Sequence, residues 1–172
     1  MGIDKHINMA VEDLNANLWF GKNTSFYGRC FRNEKRGQIG TVIKPELYTS
    51  ANDYVDVLLD DTKGGQCFFD VQPTNPSDEN GIYSSETWAC FMVNLTTVYP
   101  TLNRTEATEQ AHTDAEEILN NHFPITGLVR GFEGFKGYDW GADHQAHVDM
   151  QPYYLFRFNL TIKYNNSNDC KR

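Results

Sequence analysis

The sequence predicts an α+β domain: a mainly antiparallel sheet, an N-terminal amphipathic helix, and one helix, about residues 103–122, packed on one face. Three observations predict it. From Tyr153 to Tyr164 the chain alternates strictly, with Tyr154, Phe156, Phe158, Leu160, Ile162 and Tyr164 on one parity. Tyr153, Leu155, Arg157, Asn159, Thr161 and Lys163 fall on the other. Side chains of a strand point to opposite faces in turn, so this is a long strand with one apolar and one largely polar side. Ile3, Ile7, Val11, Leu14 and Leu18 recur at helical spacing between charged residues, an apolar stripe suited to docking on a sheet. The third observation is order: a helix, several strands, a helix, then two strands, which is not the strict alternation of an α/β protein.

The elements follow in turn. Gly21 to Gly37 reads as irregular and carries the chain's one basic concentration, Arg29, Arg32, Lys35 and Arg36. Ile39 to Ile43 reads as a strand stopped by Pro45. Tyr54–Leu59 and Gln66–Val71 flank Asp60 to Gly65, whose two glycines suit the positive φ of a hairpin loop. Gln72 to Asn80 is polar, contains proline, and reads as an exposed loop. Trp88 to Tyr99 is a second long strand, ended by Pro100. A helix then starts near Asn103, with Glu106 as its capping partner. Its stripe is Ala107, Ala111, Ala115, Ile118 and Leu119, small residues that allow close packing. Its other face carries Glu106, Glu109, Asp114, Glu116 and Glu117 with almost no compensating base. Ile125 to Phe135 is a strand bent by Gly127, Gly131 and Gly134. Tyr138 to Met150 is a Gly- and Asp-rich loop. Residues 1–164 form one domain and 165–172 a polar tail, with no internal repeat.

A chain of 172 residues suits a single core. Nine Tyr and eleven Phe fit a β-rich core and protein contacts. A formal charge of −8 disfavours a protein that grips nucleic acid by its phosphates, but it suits an acidic wall past which DNA slides. The cysteines Cys30, Cys67, Cys90 and Cys170 form no CxxC pair, and the chain reads as reduced and cytoplasmic. No signal peptide and no apolar run of about 18 residues is found, so no membrane span is expected.

Chemistry is sparse. His144 and His147, with Asp143 and Asp149 beside them, make the best metal-like cluster, but Gly141 and Pro152 place it in a loop and no HExxH glutamate is present. There is no Gly-x-Ser-x-Gly elbow and no cysteine with a histidine partner by motif. Gly131, Gly134, Lys136 and Gly137 fit neither a Walker nor a dinucleotide pattern. No catalytic residue and no cofactor are therefore assigned. What remains is surface character: the acidic helix face, the aromatics Tyr138 and Trp140 in a loop read as exposed, and long strands.

Four parts in order carry a resemblance: the helix Ile3 to Leu18, the strand Trp88 to Tyr99, the Ala/Glu helix Asn103 to His122, and the closing strand Tyr153 to Tyr164. This arrangement resembles the small α+β neck and tail proteins of tailed bacteriophages, namely tail terminator, tail completion and head–tail connector ring proteins. The Asn-rich, aromatic-rich composition is similar to that of crAss-like phage proteins. The resemblance implies a structural virion protein made in the host cytoplasm, in a ring of six or twelve copies around a DNA channel and without enzymatic activity. It implies the acidic residues Glu106, Glu109, Asp114, Glu116 and Glu117 as lumen or inter-subunit surface. Arg29, Arg32, Lys35 and Arg36, with the loop Gln72 to Ser85, would dock on adjacent rings. Two readings compete with it. One is a small cytoplasmic metal-dependent enzyme or ligand-binding domain using the His144/His147 loop. The other is a monomeric adaptor that pairs its sheet edge with a partner strand.

Overall fold

The computed structural model describes residues 2–37, 40–49, 53–57, 60, 62–73, 81–135, 137–138 and 152–165. Helix α1 (Ile3–Asn17) leads into β1 (Thr24–Gly37), β2 (Gly40–Thr49), β3 (Asp53–Asp56), β4 (Gly65–Val71) and β5 (Ile82–Asn94). A single turn α2 (Leu95–Val98), helix α3 (Arg104–Leu119), β6 (Ile125–Arg130), a 3-10 turn (Gly131–Phe135) and β7 (Tyr153–Asn165) complete it. The strands form one sheet in the order β3-β2-β1-β4-β5-β7-β6. Every neighbouring pair is antiparallel except β1 and β4, which run parallel. The fold class is α+β, as the sequence predicts.

Both helices form where the pattern places them. Ile3, Ile7, Ala10 and Leu14 are the buried stripe of α1. Asn103 caps α3: its side chain accepts from the Glu106 N–H at 3.0 Å, and the Glu106 carboxylate accepts from the Asn103 N–H at 3.2 Å. That reciprocal pair satisfies two backbone donors which the helix start would otherwise leave open. Ala107, Ala111, Ala115 and Leu119 are buried, so α3 lies close on the sheet.

Three stretches differ from the sequence expectation. β5 begins at Ile82 and stops at Asn94, whose side chain accepts from Thr97 N–H at 3.1 Å and turns Leu95–Val98 into a helical turn. The basic segment expected to be irregular is strand β1, paired with β2 along a hairpin that closes at Gly37 and Gly40. Pro45 does not end β2, because that strand continues through it to Thr49 and pairs with β3 from Glu46 onward.

The expected hairpin between Tyr54–Leu59 and Gln66–Val71 does not form. β3 pairs with β2, while β4 lies between β1 and β5. The glycines at the start of β4 have another job. A Cβ on Gly64 would sit 2.1 Å from the Lys22 carbonyl, and one on Gly65 would sit 2.2 Å from the Trp19 ring. Neither has a positive φ; the positive values near them belong to Trp19, Gly21 and Asn23, where the chain folds over from α1 into β1. That crossing lies flat on the start of β4, and only hydrogen atoms fit between.

The sheet is covered on two sides, not one. Alternate residues of the central strands divide between two cores. Cys67, Phe69, Ala89, Phe91, Val93, Tyr154, Phe156, Phe158 and Leu160 face α1 and α3. Phe68, Cys90, Met92 and Leu155 face the other way, where Phe135 and Tyr138 cover them. Leu155, on the parity read as largely polar, is fully buried. Tyr138, read as an exposed loop aromatic, is 4% exposed.

Candidate interaction surfaces

The second face buries polar groups that chemistry would notice first. The Tyr138 hydroxyl donates to the Asp70 carboxylate, which is itself buried. The Arg157 guanidinium lies 3.9 Å from the centroid of the Trp88 ring and donates to the Gly134 carbonyl at 3.0 Å. Cys30 and Cys90 belong to the same cluster. Burial first, and the nearby Asp70 charge second, push both thiols far above their ordinary range, so they are protonated and poor nucleophiles at neutral pH. Cys67, on the helix-bearing face, is raised in the same way by burial. The arrangement ties the 3-10 turn and Tyr138 to the sheet, a structural use of polar groups.

The helix-bearing face holds a hydrogen-bonded chain that joins all three helices. Trp19 Nε1–H donates to the Tyr99 hydroxyl at 2.7 Å, Tyr99 donates to Asp114 Oδ2 at 2.5 Å, and Gln110 donates to Asp114 Oδ1 at 2.6 Å. Burial and the Asp114 carboxylate together hold the Tyr99 phenol protonated. His122 Nε2 lies 3.0 Å from Asp13 Oδ2, a further tie between α1 and the end of α3.

His112, on the buried side of α3, lies 2.8 Å through Nε2 from the Tyr154 hydroxyl, while Nδ1 has no hydrogen-bond partner. Desolvation, then the positive charge of Arg130, pull its pKa down to about 4, against a smaller upward pull from Glu109. Glu109 Oε2 is 4.0 Å from Nδ1. The folded state therefore keeps His112 neutral where an unfolded chain, titrating near 6.5, takes up a proton. Between those values the unfolded state binds more protons, so this stability is present above pH 6.5 and is lost as pH falls toward 4. From pH 7 to pH 5 the loss is about 2 kcal/mol at 1.36 kcal/mol per pH unit below 6.5. A His112→Gln variant should show a correspondingly shallower acid dependence in urea unfolding. Equal slopes in the two proteins would rule the assignment out.

The acidic residues of α3 are not one uniform surface. Glu106 belongs to the cap, and Glu109 takes a two-pronged ion pair from Arg130 at 2.8 and 3.3 Å. Asp114 is committed to Tyr99 and Gln110. Glu116 and Glu117 are exposed. The absence of compensating base that the sequence suggested is corrected at Glu109, because Arg130 arrives from β6, a neighbour that helix periodicity does not reveal.

Of the basic positions, Arg29 reaches Asp4 at the start of α1, at 3.4 Å, and lies 5.2 Å over the Phe31 ring. Arg32, Lys35 and Arg36 follow on β1 toward the hairpin end. The sequence reading missed the aromatic group beside Arg29. Phe31 meets Tyr54 edge-on at 5.9 Å, and Tyr54 meets Tyr48 at 5.4 Å. These rings are 39%, 49% and 50% exposed. Cys30 and Leu47 pack into the second core, so their chain neighbours Phe31 and Tyr48 face the helix-bearing side. The core on that side draws no described residue from β2 or β3. The sheet thus extends past its helices and shows aromatic rings there. The spacing of Phe31, Tyr48 and Tyr54 gives no hint of this, since only the β1–β2–β3 register brings them together.

The metal-like cluster Asp143, His144, His147 and Asp149 lies outside the described residues, as do Trp140 and residues 74–80 of the loop expected to dock. Among the described residues no group of three or more His, Cys, Asp or Glu is placed to hold a metal ion. No described helix is long and apolar enough to cross a membrane. No protein-family model matches this chain, and no curated protein matches it either.

Proposed function

We propose that this protein is a structural subunit that joins copies of itself into a closed ring, and that the ring belongs to the head–tail connector or tail of a tailed bacteriophage. One observation carries the reading. The β1–β2–β3 extension leaves Phe31, Tyr48 and Tyr54 about half exposed next to a basic strand, while the polar groups of the central sheet are enclosed. Aromatic rings beside arginine are the composition of protein interfaces. The four parts on which the phage resemblance rests are present as α1, β5, α3 and β7, and they support that setting. In it, neighbouring connector or tail proteins stack on the ring. DNA passes without specific binding, since an acidic lumen does not hold phosphates by counterion release.

The test is direct. Light scattering coupled to gel filtration, with negative-stain imaging, should show closed rings of six or twelve copies of the purified full chain. A monomer at every accessible concentration would overturn the proposal.

A further inference from the structure

An exposed ion pair at the β6 edge of the sheet links its two buried faces. On the helix-bearing side, the His112 side chain is 4% exposed between α3 and β7. From β7 it meets the Tyr154 hydroxyl through Nε2 at 2.8 Å and the Phe156 ring edge-on. From its own helix Glu109 presents Oε2, 4.0 Å from an Nδ1 that has no hydrogen-bond partner. From β6 Arg130 donates to that same carboxylate, at 2.8 Å to Oε1 and at 3.3 Å to Oε2. The oxygen facing the histidine is thus the one Arg130 holds less tightly. Arg130 and Glu109 are the charges that act on the ring among the described residues.

Protonation changes which partner the carboxylate serves. An imidazolium carries an N–H on both nitrogens, and a buried donor without an acceptor is costly. The Glu109–Arg130 pair is 55% exposed on both sides, and pairs of that kind hold weakly. Arg130 also repels a charged His112. We propose that His112 is a proton-controlled latch: once protonated, its Nδ1–H takes Glu109 from Arg130, and the end of β6 comes free of α3. Because the ring binds its proton more readily after Arg130 has left, acid draws the latch open. This holds for the single chain and does not depend on the ring proposal.

The consequence falls on the other face. Arg130 is the last residue of β6 and pairs with Phe156 in its final rung. Gly131 follows with a φ of 68° and starts the 3-10 turn that carries Phe135 over the second core. Cys30 and Cys90 are buried in that core, whereas Cys67 faces the helices. Arg157 still holds the Gly134 carbonyl and Asp70 still holds Tyr138, so the cover loosens while the fold persists.

Thiol labelling of the full chain reads the latch. A dipyridyl disulfide reacts with thiols in acid, and peptide mass spectrometry quantifies each site. From pH 7 to about pH 4.5, labelling of Cys30 and Cys90 relative to Cys67 should rise about threefold, the order of one weak ion pair lost. In His112→Gln that ratio should stay flat. In Arg130→Gln, at an exposed site, the ratio should already be raised at pH 7. NMR titration of the same variant should find the His112 pKa higher by about one pH unit. Should His112→Gln fail to fold, the two Arg130→Gln readouts decide. Global unfolding exposes all three thiols together, so a rise of Cys67 in step with the others overturns the proposal. So does an equal pH response in His112→Gln, or an unchanged ratio or His112 pKa in Arg130→Gln.

Discussion

Replacing Phe156 with alanine is expected to lower stability by about 4 kcal/mol, within the range of roughly 3–5 for a buried phenylalanine cut to alanine. Phe156 is fully buried on β7 and touches four other rings. It stacks on Phe91 at 5.0 Å with a 6° tilt, on Tyr154 at 5.7 Å, and meets His112 and Phe158 edge-on at 4.8 and 5.7 Å. Such pairs add about 0.5–1.5 kcal/mol each beyond their area. The site cannot collapse easily, because β5 and β7 are held in register along thirteen paired residues from Ile82↔Asn165 to Asn94↔Tyr153. For a domain of this size the change corresponds to a fall in Tm of roughly 8–16 °C. Phe132→Ala, at a ring 36% exposed, serves as comparison and should shift stability by no more than about 0.5 kcal/mol. Similar losses in the two variants, measured by urea unfolding, would mean that the aromatic stack is not the centre of the core.

The second large effect is at Gly65. A methyl group there would occupy the position of the Trp19 ring, 2.2 Å away. Trp19 has little freedom to retreat. Its indole N–H is bonded to Tyr99, its ring packs on Phe26 and Phe91, and its backbone already holds a φ of 50°. Gly65→Ala should therefore cost about 3 kcal/mol, at the upper end for overpacking. Gly2→Ala, with nothing within 4 Å, should cost no more than about 1 kcal/mol, through the N-cap of α1 alone. A double-mutant cycle isolates the contact: adding Trp19→Leu should recover part of the Gly65→Ala loss, a coupling of about 1 kcal/mol or more. Additive losses would place the strain elsewhere in the crossing from α1 to β1.

The helices were legible because both of their determinants are local. A repeat of three and four residues marks the stripe of α1, and Asn103 with Glu106 marks the start of α3; neither depends on a distant partner. Strand β7 was legible for the same reason, through alternation. What alternation could not tell was the fate of the second parity. Leu155 and Arg157 read as part of a polar side. Leu155 is buried beneath Phe135 and Tyr138, which are brought back by the 3-10 turn, and Arg157 is drawn over Trp88. The false hairpin has the same origin. Two strand-like runs joined by Asp-Asp-Thr-Lys-Gly-Gly look like neighbours, yet β4 gains more by lying between β1 and β5, where both of its faces are buried.

The candidate surfaces divide in the same way. That α3 is acidic and that residues 29–36 are basic could be read from the chain directly. That Phe31, Tyr48 and Tyr54 form one exposed group, and that Trp19 and Asp114 both bond to the Tyr99 hydroxyl, could not, because residues as far as 80 positions apart meet there.

By itself the amino-acid order determined the α+β class, the two long helices with their apolar stripes, the closing strand, and the acidic and basic stretches. Each follows from contacts or charges within a few residues. Only the tertiary structure decided that β1 and β4 run side by side, that both faces of the sheet are buried, and that exposed aromatic rings stand together on its β1–β2–β3 extension. Those outcomes depend on which distant segments exclude water together, and no short window of sequence contains both partners.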